Sequence, residues 1–228
     1  MMRVSSFVCV VLLAAAIGRA GDIKPFEINM DRVELDKKGK FGASTTYIIP
    51  TLYLRMAARN QTSISNGGAS GKARVFVEGI DKAFLQDLSK KIYDDLIAKM
   101  RAAGYTVLAY DDLKTELAGF DRLKPNPKYG LPSLLSDKIG PIDFVLASPS
   151  DEHQIDWGVT GVMYPYRSLA KAKNAVVLIP NIYFNTASVL GKKGGGMFSK
   201  EVSLEVDPAM RLFRGHVMGM PPDASWCN

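Results

Sequence analysis

The chain has 228 residues, with 29 Lys and Arg against 23 Asp and Glu, two histidines and two cysteines. Its formal charge of +6 is spread thinly, with no basic block interleaved with aromatics, so nucleic acid is not an expected partner. So few histidines and cysteines also leave little material for nucleophile and base pairs, a zinc site or a disulfide scaffold.

The chain opens with one positive charge, Arg3, an uncharged run over 4–18, and small residues at Gly18 and Ala20. That pattern predicts a signal peptide at 1–20, cleaved after Ala20. The run of about 15 residues falls short of the ~20 that span a bilayer, so no stable membrane insertion is expected after leader cleavage. Cys9 sits inside the run rather than just after it, which argues against lipid attachment. Cleavage lowers the formal charge from +6 to +4 and leaves Cys227 as the one cysteine. An exported chain that folds without an internal disulfide fits a bacterial periplasm, with secretion as the alternative. Cys227, beside the last residue, reads as incidental or as the mark of a chain cut short.

Residues 21–42 are polar, charged and weakly patterned and predict a flexible N-terminal arm. Residues 43–228 predict a single α/β domain. In its first β-rich run, 45–56, the expected inward positions are Tyr47, Ile49, Leu52 and Leu54, and Pro50 predicts an edge strand or a bulge. Asn66, Gly67, Gly68 and Gly71 predict a flexible loop over 64–71, which makes a hairpin with the strand at 72–77. Asn60-Gln61-Thr62 matches a glycosylation acceptor, a pattern too common to carry an argument.

Next, Leu85, Leu88, Ile92, Leu96 and Met100 recur every three or four residues, while Lys90, Lys91, Asp94, Asp95, Lys99 and Arg101 fall mostly on the other side. Asp81 is the expected N-cap and Gly104 the expected left-handed stop, giving an amphipathic helix over 81–103. The β-branched and aromatic run 105–110 predicts a strand, reached by a crossover onto a shared sheet. Asp111 or Asp112 is the expected cap of a short helix at 113–117. Pro125, Pro127 and Gly130 predict a surface loop over 118–130. Residues 131–138 read as one or two helical turns, 141–148 as an apolar strand, and 150–172 as an ordered loop. The runs 175–190 and 200–213 predict an antiparallel hairpin or meander added to the sheet, with the glycine run 191–196 as its turn, and 220–228 as a shapeless tail. The expected architecture is α/β: a mixed sheet with one long amphipathic helix packed on it, plus a C-terminal antiparallel hairpin.

Chemistry is sparse. Gly191-Lys192-Lys193-Gly194-Gly195-Gly196 lacks the Gly-Lys-Ser/Thr ending that opens a helix in a phosphate loop and reads as a solvated turn. Asp151, Glu152, His153 and Asp156 supply metal donors, but His216, the other histidine, lies far along the chain without a paired motif. The acid pairs Asp94-Asp95 and Asp111-Asp112 read as helix surface and cap rather than as general acid and base. Trp157, Tyr164 and Tyr166 read as cover for a sheet, with a binding surface for sugar or protein as the alternative. No catalytic, metal or cofactor-binding residue is assigned, and no cofactor is expected.

Val75-Phe76-Val77, Leu88, Leu96, Gly104-Tyr105-Thr106-Val107 and Asp112-Leu113 together resemble the strand-helix-strand core of a group of bacterial envelope proteins. The group includes the curli-secretion channel subunit, the amino-terminal domain of the Tol-Pal β-propeller protein, and outer-membrane activators of penicillin-binding proteins. The similarity covers about 45 residues of 228. It implies an exported, non-enzymatic envelope domain that works through protein contacts. The chain departs from the group in having no lipid-attachment cysteine, no propeller repeat and no evident transmembrane hairpin, so the pore and activator roles are not carried over. The expectation is a periplasmic binding or assembly module with an envelope protein partner or self-association. The alternative is a cell-wall-modifying or other hydrolase using the loop 151–166, which requires Asp151, His153 and Asp156 to converge.

Overall fold

A computed structural model describes residues 44–128, 130–132, 138–139, 142–156, 163–196, 199–207 and 211–222. The expected signal peptide, the arm 21–42, Trp157 and Cys227 lie outside the described residues, as do most of the turns expected at 131–138.

The architecture is a mixed α/β sheet with helices and a separate antiparallel hairpin. Its strands run β1 (Thr46–Ile49), β2 (Tyr53–Asn66), β3 (Ala69–Phe76), β4 (Thr106–Ala109), β5 (Lys138–Ile139), β6 (Ile142–Ala147), β7 (Val176–Asn185), β8 (Ser188–Gly194), β9 (Glu201–Asp207) and β10 (Arg211–Met220). The helices are α1 (Lys82–Ala102), α2 (Lys114–Leu117) and α3 (Met163–Lys173). Strands β4-β1-β7-β2-β6-β5 form one sheet in that order, with β10 on β7 and β3 on β2, while among the described residues β8 and β9 pair only with each other.

Strand β7 lies at the centre. Val177 faces Ile48 of β1 on one edge and Met220 of β10 on the other, and Ile182 faces Leu54 of β2 and Gly215 of β10. Strands β1 and β2 are therefore successive pieces of the same neighbour, both parallel to β7, and the register between Tyr47↔Val176 and Tyr53↔Asn181 slips by one residue. The slip falls at Pro50-Thr51-Leu52, where proline removes a ladder donor. Of the two readings of Pro50, bulge and edge, the bulge is the one observed, and it sits in an interior strand.

Helix α1 forms for local reasons. Asp81 Oδ1 accepts from the Ala83 and Phe84 amides at 2.9 and 3.3 Å. At the other end Gly104 takes φ +89°, its N–H donating to Arg101 O and the Tyr105 N–H to Met100 O, which together satisfy two terminal carbonyls. Leu85, Ile92, Leu96 and Met100 are buried against Tyr47, Ile49, Leu52 and Leu54, so the inward positions expected of both elements meet in one core. Leu88 is partly buried at its margin, and Ser89, Tyr93 and Ile97 join the buried face. Ile48, Tyr53, Val177 and Ile179 point to the other side of the sheet, where Leu113, Leu117, Leu169 and Ala170 cover them. Beside that second core, Arg55 is 1% exposed, bonded to Asn181 Oδ1 at 3.1 Å and set over the Tyr183 ring at 5.1 Å.

Several expectations need correction. Residues 163–173 are helical where a loop is expected, because Pro165 falls in the first turn, where its missing N–H costs nothing, and Tyr166, Leu169 and Ala170 supply a buried stripe. Asn174, at φ +46°, ends that helix as Gly104 ends α1, with Asn174 N–H donating to Lys171 O and Ala175 N–H to Ala170 O. Neither Asp111 nor Asp112 caps the helix at 113–117; Asp112 instead accepts from the Ala109 amide at 2.8 Å and from Arg101 at 3.2 Å. The flexible loop expected at 64–71 shrinks to the two residues Gly67 and Gly68, both at positive φ, because strand pairing continues to Asn66↔Ala69. Residues 175–190 split into β7 and β8, and 200–213 into β9 and the start of β10, which runs on to Met220. The hairpin β8–β9 is thus its own sheet rather than an extension of the first.

Candidate functional site

The sequence points first to 151–156. The bulge that interrupts the central ladder also carries this loop: Thr51 Oγ1 donates to His153 O at 2.8 Å, and Tyr53 OH to Ile155 O at 2.5 Å. His153 lies where β1 and β4 end, its ring 4.2 Å from that of Tyr110 and edge-on to Tyr93 at 5.4 Å. Its Nδ1 is 2.8 Å from Ser150 Oγ, and burial pushes the imidazole down to about 4, so it is neutral at pH 7. Tyr93 is the keystone beneath it, donating to Ile49 O at 2.6 Å and accepting from the Tyr110 N–H at 2.9 Å. One phenol on α1 thereby ties the ends of two parallel strands.

The acids of the loop serve other partners. Asp151 accepts from Lys82 at 3.0 Å, Gln86 at 2.7 Å and Gln154 at 2.9 Å, and the Lys82 bond above all holds its carboxyl below the usual range. Glu152 bonds Arg122 through its backbone carbonyl and lies 3.8 Å from Lys114. The charges felt by His153 are Asp111, Lys90, Arg122 and Asp94, whereas Asp156 acts on Tyr53 and Tyr166. Asp151 is thus bonded to Lys82, Gln86 and Gln154, and His153 to Ser150. No group of three metal donors stands among the described residues. Asp94 and Asp95 pair with Lys90 and Lys99 one turn away on α1, and Asp111 with Lys114. Tyr166 is buried in the second core against Phe120, Tyr164 falls in α3, and His216 belongs to β10. Asn60 is 9% exposed with its amide donating to Ala187 O at 2.7 Å, which leaves no room for a glycan.

The feature that sequence reading missed lies at the far end of β2. Pairing with β7 stops at Met56 and with β6 at Asn60, yet β2 and β3 continue together to the turn at Gly67 and Gly68. At 14 residues and ~3.4 Å each, β2 is about 48 Å long, and its last six residues, 61–66, leave the body as part of a two-stranded arm. The hairpin β8–β9 stacks on it. A Cβ on Gly191 would meet Ile64 of β2 at 3.0 Å, and one on Gly71 would meet Leu204 of β9 at 3.1 Å. Strand β8 therefore lies over β2 and β9 over β3, with the glycines admitting the facing side chains. Asn66 staples the tips, its amide donating to Gly194 O at 2.8 Å and Glu201 O at 3.3 Å. The run 191–196 is thus half strand: Gly191 to Gly194 belong to β8, and the reversal begins at Gly195, at φ +96°.

Among the described residues, β3 and the distal part of β2 pair only with each other, as do β8 and β9, so four strand edges of the arm have no strand beside them. Large exposed apolar side chains gather on its strands, with Phe76 at 48%, Leu190 at 53% and Val206 at 46%. Alternation in Val202, Leu204 and Val206 is the sequence signal for a β9 with one inward face; Gly71 and Gly191 as contact points have none. No described helix is long and apolar enough to cross a membrane. Comparison with protein-family models, with curated proteins and with solved structures finds no match to this chain.

Proposed function

We propose that the chain is an exported, non-enzymatic assembly module of the bacterial envelope that joins proteins through its two-layered β arm. The observation that carries this reading is the arm itself: four strands stacked in two layers beyond the body, with open edges and exposed Phe76, Leu190 and Val206. Open edges of this kind are a template for further strands, and a monomer normally blunts or covers them. The leader pattern at 1–20 supports export. The bonds of Asp151 to Lys82, Gln86 and Gln154, and of His153 to Ser150, favour a structural role for that loop over a hydrolase centre.

The test is expression of the full chain in a Gram-negative host, with a photo-crosslinking amino acid at Leu190 on the arm or at Lys91 on the outer side of α1. The expected result is a periplasmic protein beginning at Gly21 that forms adducts from Leu190 and not from Lys91. An unprocessed cytoplasmic chain, or equal adducts at both positions, overturns the reading.

A further inference from the structure

Strand β3 lies on the β7 side of β2, since β6 holds Arg59 and Asn60 from the opposite edge. Its open edge therefore runs in line with β10, which begins at Arg211 opposite Asn185, just before the level of Phe76. The slot beside β3 is eight residues long and closed by β10 at the body end, so it admits a short strand and not another folded arm. Exposed Lys72 and Arg74 line it on the outer face, and Lys128 stands over the Phe76 ring at 5.2 Å. Lysines on an edge ordinarily discourage pairing, so the strand that this edge accepts is an acidic one. On the inner face Val202 and Leu204 pack at Gly71, while Val206, next in the same alternation, stays 46% exposed. The strand therefore also needs an apolar side.

The chain carries such a strand at 26–31, where Phe26, Ile28 and Met30 alternate with Glu27, Asn29 and Asp31. We propose that the arm's partner is this segment of a second copy, added antiparallel to β3 with Phe26 beside Val75 and Asp31 beside Ser70. Resting on the assembly reading above, the pairing sets Glu27 opposite Arg74 and Asp31 diagonal to Lys72, and it turns the apolar side toward Val206. The direction follows from the two ends of the slot. Pro25, which has no N–H to give, falls at the end closed by β10, where the expected mature terminus at Gly21 is close by. The linker 32–45 leaves past the tip of the arm, toward the second copy. A copy cannot fill its own slot. Thr46 lies about 60 Å back from Ser65 along β1 and β2, whereas the linker extends at most about 50 Å and would first have to reverse.

The experiment uses the full exported chain with a photo-crosslinker at exposed Ser70, irradiated in the periplasm. The expected product joins two chains, with its junction at 29–33 of the other copy. Analytical ultracentrifugation of the purified chain gives a second reading, in which the wild type is expected to associate, more weakly in salt. Glu27→Lys with Asp31→Lys, and Lys72→Glu with Arg74→Glu, should each weaken association at least about fivefold. An equimolar mixture of the two should restore it, because every segment then finds an edge of opposite sign on the other variant. Only chains that begin at Gly21 and keep the wild-type circular dichroism spectrum are compared; where a variant fails either check, the Ser70 junction in the otherwise unchanged chain decides. Junctions within one chain or elsewhere on the second copy, a monomeric wild type at its highest soluble concentration, or a mixture no better than its components overturn the proposal. Ser70 adducts to a different protein also overturn it while leaving the assembly reading intact. No adduct from Ser70 overturns it too, and none from Leu190 either removes both.

Discussion

Replacing Tyr93 by Phe tests how the ends of β1 and β4 are held. The change removes one oxygen from a side chain that is 5% exposed and leaves the ring in place, so packing is nearly conserved. It strands the Ile49 carbonyl and the Tyr110 N–H, which the phenol serves at 2.6 and 2.9 Å. A buried polar group left without its partner costs about 1–3 kcal/mol, and two that share one partner are not fully additive, so the expected loss is about 2–4 kcal/mol. For a domain of this size that corresponds to a melting temperature lower by roughly 4–16 °C. Urea denaturation followed by far-UV circular dichroism measures it, with an unchanged slope required for a change in stability alone. Tyr105→Phe is the control, since Tyr105 is partly exposed and meets Tyr47 edge-on, and it should stay within about 0.5 kcal/mol. A Tyr93→Phe variant as stable as that control would refute the view that this hydroxyl ties the strands.

Leu96→Asp places a carboxylate at a 3% exposed position of the first core, and a chain that still unfolds cooperatively at the wild-type urea midpoint would contradict the buried face of α1. Gly191→Val should push the two hairpins apart against Ile64, giving early proteolysis within 188–207 while the body keeps its melting temperature; unchanged cleavage would refute the stacking. His153 is held near 4 when folded against an ordinary 6.5, so between those values the unfolded chain binds more protons and stability rises with pH. As pH falls from 6.5 to 4 the domain should lose on the order of 2 kcal/mol, a figure discounted for the partial exposure of the ring, and His153→Phe should flatten that slope in urea titrations; an unaltered slope would assign it to other groups.

What could be read from the sequence depended on how local its cause was. Helix α1 shows itself because the apolar period, the Asp81 cap and the Gly104 stop all lie within 24 residues, and each acts on its own neighbours. The inward set of Tyr47, Ile49, Leu52 and Leu54 is equally legible, since an alternation of two survives the bulge at Pro50 with one skipped position. The centre of the sheet was hidden, because β7 owes its place to Ile48 and Leu54 on one side and to Gly215 and Met220 on the other, and no short-range pattern announces those pairings. Helix α3 was hidden by Pro165 and its aromatic neighbours, which suggest a loop until the buried stripe is seen. Tyr93 stands next to Asp94-Asp95 with no local pattern to show the two strand ends it serves, while Gly71 and Gly191 read as turn residues rather than as gaps that admit side chains.

The late position of β7 in the chain governs when the protein can fold. Tyr47 must wait for Val176, and Leu54 for Ile182, so the middle of the sheet closes only after roughly four fifths of the 228 residues have been made. Pairings this distant in sequence slow folding and leave early strands bare in the meantime. A newly made chain therefore holds its early strands unpaired at the centre until its last third is available to close the sheet.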